Sequence, residues 1–138
     1  MKIHKAGEDY IKAIYLLQKE KGTVRSVDVA AYMDVTKPSV SHATRLLREG
    51  GFLTMSDDHS LHLTNLGIEI AEKMVERHQY FADRLTDAGV DADIAEIEAC
   101  RMEHTISDDS FKKLREQEQK NCPFADACGF KPNGERVP

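Results

Sequence analysis

The chain contains no tryptophan, four prolines and three cysteines in 138 residues. It also lacks an apolar run of the roughly 18 residues a membrane-spanning helix needs. Met1-Lys2-Ile3-His4-Lys5 has no apolar signal core behind it, so a cytoplasmic protein with no membrane partner is expected. An odd cysteine count in a reducing compartment argues against a disulfide framework and leaves metal or redox chemistry as the use for the thiols. Strong positive charge is missing too, since the net charge is −5. The balance is uneven: residues 1–65 hold 9 Lys/Arg against 8 Asp/Glu, and residues 66–138 hold 10 against 16. The first part is the better partner for nucleic acid and the second the better cation binder.

The pattern predicts a mainly α fold. Residues 8–21 read as a helix with Tyr10, Ile14 and Leu17 on one face and Ile11 and Tyr15 beside them, stopped by Gly22. Thr23–Arg25 reads as a short extended link, and Ser26 as the cap of a second helix running to Tyr32 with Asp28 in its first turn. Thr36 caps a third helix, Lys37 to Glu49, with Pro38 near its start, where proline is tolerated. Phe52–Met55 and Leu61–Thr64 flank the polar turn Ser56–Ser60 as a hairpin. Helix, turn, helix and hairpin make a winged helix-turn-helix order. Asn65–Ala88, Asp91–Ile106 and Ser107–Lys120 read as three further helices. The expected organisation is a winged-helix DNA-binding domain over 1–64, a helical metal-binding and dimerisation domain over 65–120, and an irregular cysteine-containing tail over 121–138.

Two constellations carry chemistry. The first is Cys100-Arg101-Met102-Glu103-His104. On a helix, i, i+3 and i+4 share a face, so Cys100, Glu103 and His104 can converge on one ion. Sulfur, nitrogen and oxygen together suit a first-row transition ion such as Fe(II), Co(II), Ni(II) or Zn(II) better than Mg or Ca. His78, midway along the preceding helix, is the natural extra ligand. The bland alternative is a buried thiol beside a surface Glu–His pair. The second constellation is the third helix. Val40, Leu46 and Leu47 are expected inward, leaving Thr36, Lys37, Pro38, Ser39, Ser41, His42 and Arg45 for solvent or DNA. Small hydroxyls near a recognition helix N-terminus reach phosphates and base edges, and Lys/Arg neutralise phosphates.

Glu8-Asp9-Tyr10-Ile11-Lys12-Ala13-Ile14-Tyr15, Lys37-Pro38-Ser39-Val40-Ser41, Arg77-His78 and Glu98–Asp108 together resemble the diphtheria toxin repressor family over about residues 6–118. That family contains iron-dependent repressors and manganese transport regulators. The resemblance implies a winged-helix DNA reader, a helical dimerisation domain and a divalent metal co-repressor. With no counterpart of the iron type's third, SH3-like domain in these residues, the expected architecture is similar to that of the two-domain manganese type.

Position by position, the resemblance is mixed. Glu103, His104 and His78 match ligands of both branches. Cys100 matches the iron type and Asp9 the manganese type. Lys12 stands where the manganese type has a second glutamate, and an ammonium cannot ligate a cation. Ala82 replaces a glutamate of the iron-type second site, and Glu96 stands at that site's histidine. A second site would therefore use His78 and Glu96 and lack a full ligand set. The thiol favours Fe(II) and the aspartate favours Mn(II), so the expected order is Fe(II), then Mn(II), with Zn(II), Co(II) or Ni(II) binding in vitro. Cys122 and Cys128 are candidates for an additional metal or redox role. An iron–sulfur cluster usually takes four cysteines and would need a further ligand.

The resulting expectation is a homodimeric repressor of metal-uptake and homeostasis genes that binds double-stranded DNA at an inverted repeat when loaded with metal. The alternatives are a metal-independent winged-helix regulator or interaction module, and a metalloenzyme. Nothing in the sequence supplies a substrate-pocket signature for the last.

Overall fold

The computed structural model describes residues 5–121. The chain forms two compact units, residues 1–104 and 105–138. In the first unit the order is α1 (Lys5–Lys21), β1 (Val24–Arg25), α2 (Ser26–Met33), α3 (Lys37–Glu49), β2 (Leu53–Met55), β3 (Ser60–Leu63), α4 (Asn65–Asp87) and α5 (Ala92–Met102). The described part of the second unit contains α6 (Asp108–Asn121).

The helix-turn-helix and wing share one core. Tyr10, Ile11, Ile14 and Leu17 of α1 meet Val29 of α2, Val40 and Leu47 of α3, and Phe52, Leu53 and Leu61 of the wing. The spacing of the α1 residues is the helical one that places them on a single stripe. Thr23–Arg25 does more than link helices. Val24 pairs with Leu61 and Arg25 with Ser60, which makes a third strand and the sheet order β1-β3-β2. Two residues are too few for a periodic signal, so this strand is set by its partner.

Local chemistry fixes the ends. Thr36 Oγ1 accepts from Ser39 N at 3.3 Å at the start of α3. Ser26 is not the cap of α2: Arg25 takes that place, and its N–H donates to Asp28 Oδ2 at 2.9 Å. The acidic side chain three residues on captures the donor, leaving Ser26 as the first helical residue. In α3, Leu46 is exposed, contrary to expectation, and Thr44 is buried. The inward face runs through Val40, Thr44 and Leu47 at i, i+4 and i+7. Thr44 tolerates burial because its hydroxyl donates to Ser41 O at 3.2 Å.

The wing joins α4 through a tight contact. Thr64 Oγ1 donates to Gly51 O at 2.7 Å, and Thr64 N donates to Phe52 O at 3.1 Å. Gly67 sits under this loop, where a Cβ would lie 2.3 Å from Phe52 O. α4 then packs against both α1 and α5. It ends at Asp87 with Ala88 as its C-cap, and Gly89 follows, whose φ of +99° lets the chain reverse. α5 stops at Met102, short of the expected Ile106. Glu103 caps it with αR geometry, its N–H donating to Ala99 O at 3.0 Å. Ser107 accepts from Ser110 N at 3.1 Å, so the intervening residues form the turn before α6. None of the described helices is long and apolar enough to cross a membrane.

Candidate metal centre and nucleic-acid interface

Three elements build the centre. α1 brings Glu8, Asp9 and Lys12, with Lys12 four residues on from Glu8 and three on from Asp9 and so on the same side as each. α4 brings His78. α5 and its closing turn bring Glu96, Cys100, Glu103 and His104. Glu103 and His104 lie just beyond the last helical residue, but the αR conformation at Glu103 preserves the helical facing of Cys100 and Glu103. Ligand atoms of Asp9, Cys100, Glu103 and His104 lie within 4.8 Å of one another. A cleft of about 650 Å³ lined by Asp9, Lys12, His78, Glu96 and Cys100 among others opens the group to solvent.

The contacts are closely interlocked. His104 Nε2 lies 2.7 Å from Asp9 Oδ1 and 3.3 Å from Glu103 Oε1, and its Nδ1 lies 3.1 Å from Glu8 Oε1. Lys12 Nζ donates to both Glu103 oxygens, at 2.9 and 3.0 Å. His78 Nε2 meets Glu96 Oε1 at 2.7 Å, while its Nδ1 stands 3.2 Å from Glu103 Oε2 as a charge contact without hydrogen-bond alignment. Arg77 Nη1 donates to the Glu103 carbonyl at 3.5 Å. Glu103 is fully buried and His104 has a side chain 1 % exposed, whereas Glu96 is 68 % exposed.

Burial would raise the Glu103 carboxyl, but His78 and Lys12 outweigh it and hold it below the ordinary 4.5. Glu103 holds the His78 imidazole above its ordinary 6.5, against the effect of burial and with help from Glu96. Burial, and then the Glu103 charge, pushes the Cys100 thiol up. A raised thiol keeps its proton until a cation draws it into the thiolate form that ligates.

The donor set fits a divalent transition ion. It combines two carboxylates, an imidazole nitrogen and a sulfur on two separate segments, with solvent access on one side. The structure thus gathers Asp9, Cys100, Glu103 and His104 into one group. His78 and Glu96 stand beside it, joined through Glu103 Oε2. Cys122 and Cys128 lie outside the described residues. Glu8 was not singled out as a candidate from the sequence. Its signal was the α1 face it shares with Lys12. In the sequence Lys12 shows only that it cannot ligate, and its engagement with Glu103 becomes visible only once residues 91 apart are brought together.

All seven candidate DNA-contacting residues are exposed on α3 or its cap: Thr36, Lys37, Pro38, Ser39, Ser41, His42 and Arg45. Two pairs among them already make local bonds. The Thr36 and Ser39 hydroxyls are 2.8 Å apart, and Arg45 Nη2 is 3.2 Å from His42 Nδ1.

Comparison with known proteins settles the family. Residues 2–61 match the model of the iron dependent repressor N-terminal DNA binding domain. Residues 64–126 match that of the iron dependent repressor metal binding and dimerisation domain. The chain belongs to the iron-dependent repressor family. It is a metal-dependent transcriptional repressor of that family rather than an enzyme. The transcriptional regulator MntR of Escherichia coli is 33% identical over 114 residues, covering 83% of this chain and 74% of the relative. The diphtheria toxin repressor of Corynebacterium diphtheriae is 31% identical over 108 residues, covering 78% of this chain and 48% of that protein. Among solved structures, a manganese-dependent transcriptional repressor in complex with manganese superposes with a TM-score of 0.71 at 26% identity. That match covers 96% of this chain and 58% of the other. This family member therefore spans about half to three quarters of those relatives.

Proposed function

We propose that this repressor controls metal-uptake and homeostasis genes by binding inverted-repeat operators as a homodimer, with Fe(II) as the preferred co-repressor and Mn(II) second. Residues 1–64 form the DNA-reading part, residues 65–120 the metal-binding and dimerisation part, and 121–138 the tail. The observation that carries the reading is the convergence of Asp9, Cys100, Glu103 and His104 within 4.8 Å. The thiol in this set supports iron over manganese, which prefers oxygen donors.

Asp9 belongs to the first helix of the reading part, whereas Cys100, Glu103 and His104 belong to the end of α5. A bound ion would supply the positive charge that lets three anionic donors share one site. Asp9 then holds α1, and with it the core beneath α3, in a fixed relation to α5. Two recognition helices related by a two-fold axis read successive major grooves about 34 Å apart, so the operator is a palindrome. The state with the donors gathered is favoured only by the difference in metal affinity between it and the alternatives.

One observation favours a second reading, a metal-independent regulator. Asp9 already meets His104 and Lys12 already meets Glu103, so protein contacts alone close much of the centre. Anaerobic fluorescence anisotropy on the DNA upstream of the protein's own gene separates the two. Apo protein is compared with Fe(II)- and Mn(II)-loaded protein at fixed salt, because salt alone shifts affinity strongly. Tight binding only with metal supports the switch, and stronger activation by Fe(II) supports iron ahead of manganese. Equal binding with and without metal overturns the switch in favour of the second reading.

A further inference from the structure

Glu103 is the most constrained group in the centre. It is fully buried, and its two oxygens face two different histidines: Oε1 lies 3.3 Å from His104 Nε2 and Oε2 lies 3.2 Å from His78 Nδ1. Lys12 Nζ spans both oxygens at 2.9 and 3.0 Å, on a side chain only 14 % exposed. Beyond Oε2 lies the His78–Glu96 pair, bonded at 2.7 Å. On their own, Glu103 Oε2 and His78 Nδ1 would offer an oxygen and a nitrogen to a second cation, next to the group formed by Asp9, Cys100, Glu103 and His104, with Glu96 holding the far nitrogen of the His78 ring.

We propose that Lys12 is the tethered second cation of this centre, holding the Glu103 Oε2 and His78 side so that the chain takes one divalent ion rather than two. The inference rests on the metal-binding reading above and goes beyond it in assigning stoichiometry to a residue that is not a ligand.

Charge supports the assignment. With the thiol deprotonated, the converging donors Asp9, Glu103 and Cys100 carry three negative charges, which one divalent ion and one ammonium balance; Glu8 and Glu96 lie outside that group, on the far nitrogens of His104 and His78. Buried charge is expensive unless it is paired, so a donor group that is neutral with one ion and the ammonium has little drive to take another. The ammonium also blocks space, because it cannot leave Glu103 without stranding a buried cation or swinging out through the cleft. Lysine suits this role, since its compact charge on a flexible stem sits on a carboxylate in the place an ion would take. Because the cation is covalently attached to α1, it holds α1 to the end of α5 whether or not metal is present.

The test is a count of bound metal with Co(II) and Mn(II) as separate probes, read anaerobically without DNA. Co(II) is followed by its thiolate charge-transfer absorption, which reports the Cys100 side, and by elemental analysis after dialysis. Mn(II) is followed by electron paramagnetic resonance. The wild type is expected to bind one ion per chain, as is Lys12→Arg. Lys12→Met is expected to bind a second ion without further growth of the thiolate band, doubling the count, and Lys12→Met with His78→Ala to return to one. Two ions on the wild type, or one ion on a Lys12→Met protein that melts cooperatively, would overturn the proposal while leaving the metal-binding reading intact. No ion on the wild type overturns both. The wild-type count stands as a test even where Lys12→Met does not fold.

Discussion

His104 Nδ1 lies 3.1 Å from Glu8 Oε1, a carboxylate on α1 that is not among the converging donors. A neutral imidazole donates from one nitrogen and accepts at the other. Donation from Nδ1 to Glu8 is the tautomer that would turn the Nε2 lone pair to an ion, once the ion replaces the proton through which Nε2 meets Asp9 Oδ1 at 2.7 Å in the metal-free protein. Such outer partners fix the tautomer and the ring orientation, and losing one costs about 10–100-fold in metal affinity. Glu8→Ala should therefore weaken Co(II) binding at least about tenfold without lowering the number of ions bound. Glu8→Gln keeps an acceptor oxygen and should recover part of the loss. Isothermal titration of the two variants decides it: unchanged affinity in Glu8→Ala would make the contact incidental.

The pair His78–Glu103 sets a pH dependence with two opposite limbs. Glu103 sits below its ordinary 4.5, so its stabilising contribution is present above that value and is lost as pH falls through the lower folded value. His78 sits above its ordinary 6.5, so its contribution is full below that value and is lost as pH rises through the higher folded one. The pair should stabilise the metal-free protein most between about pH 4.5 and 6.5. Melting temperatures of wild type and His78→Gln, compared across pH 4 to 8, read this directly. The gap should narrow toward pH 8, and a gap that widens there would contradict the assignment.

The recognition helix predicts a salt effect. Arg45 and Lys37 are exposed on α3 and suited to phosphates, and removing one phosphate contact lowers the slope of log affinity against log salt by about one. Arg45→Ala and Lys37→Ala should each weaken operator binding and reduce that slope by about one. Ser41→Ala should weaken binding to the operator more than to random DNA if its hydroxyl reads a base edge. Unchanged slopes for both basic variants would move the interface off α3.

Legibility in the sequence follows the range of each interaction. The stripe on α1, the Thr36 cap and the wing are readable because each is written within a few residues. Cys100, Glu103 and His104 are readable for the same reason, His78 as the histidine of the preceding helix, and Asp9 through the family resemblance. The β1 strand is not, because two residues show no period and Val24 needs Leu61 across the fold. The inward turn of Thr44 in place of Leu46 is a tertiary choice that hydrophobicity ranks the other way. Glu8 on His104 and Lys12 on Glu103 join residues 96 and 91 positions apart, and no local pattern announces them.

Gly67 tests the junction between wing and α4. A Cβ there would lie 2.3 Å from the Phe52 carbonyl oxygen, and the backbone that carries that oxygen also accepts from Thr64 N. Neither partner can move without breaking that contact. Gly67→Ala should thus destabilise by about 1–3 kcal/mol, the usual range for overpacking, even though alanine is the better helix former by about 1 kcal/mol. Urea unfolding of the two proteins measures it, and a variant as stable as the wild type would show that the loop yields freely.

The Cys100 thiol should decide which ion the centre prefers. Its sulfur is the soft donor in a set otherwise made of carboxylates and an imidazole. Exchanging sulfur for a hydroxyl leaves the size nearly unchanged and removes the preference of a thiolate for iron, cobalt and zinc over manganese. Burial and Glu103 push the thiol up, so in the wild type a proton must leave as metal enters, and affinity should rise with pH. In Cys100→Ser that proton is not released. The variant should lose affinity for Co(II) and Zn(II) far more than for Mn(II), lose the thiolate charge-transfer band, and show a weaker pH dependence of Co(II) binding. Competition titrations at two pH values separate these effects. Equal losses for all three ions would mean that the thiol contributes binding without selectivity, and would remove the chemical ground for placing Fe(II) ahead of Mn(II).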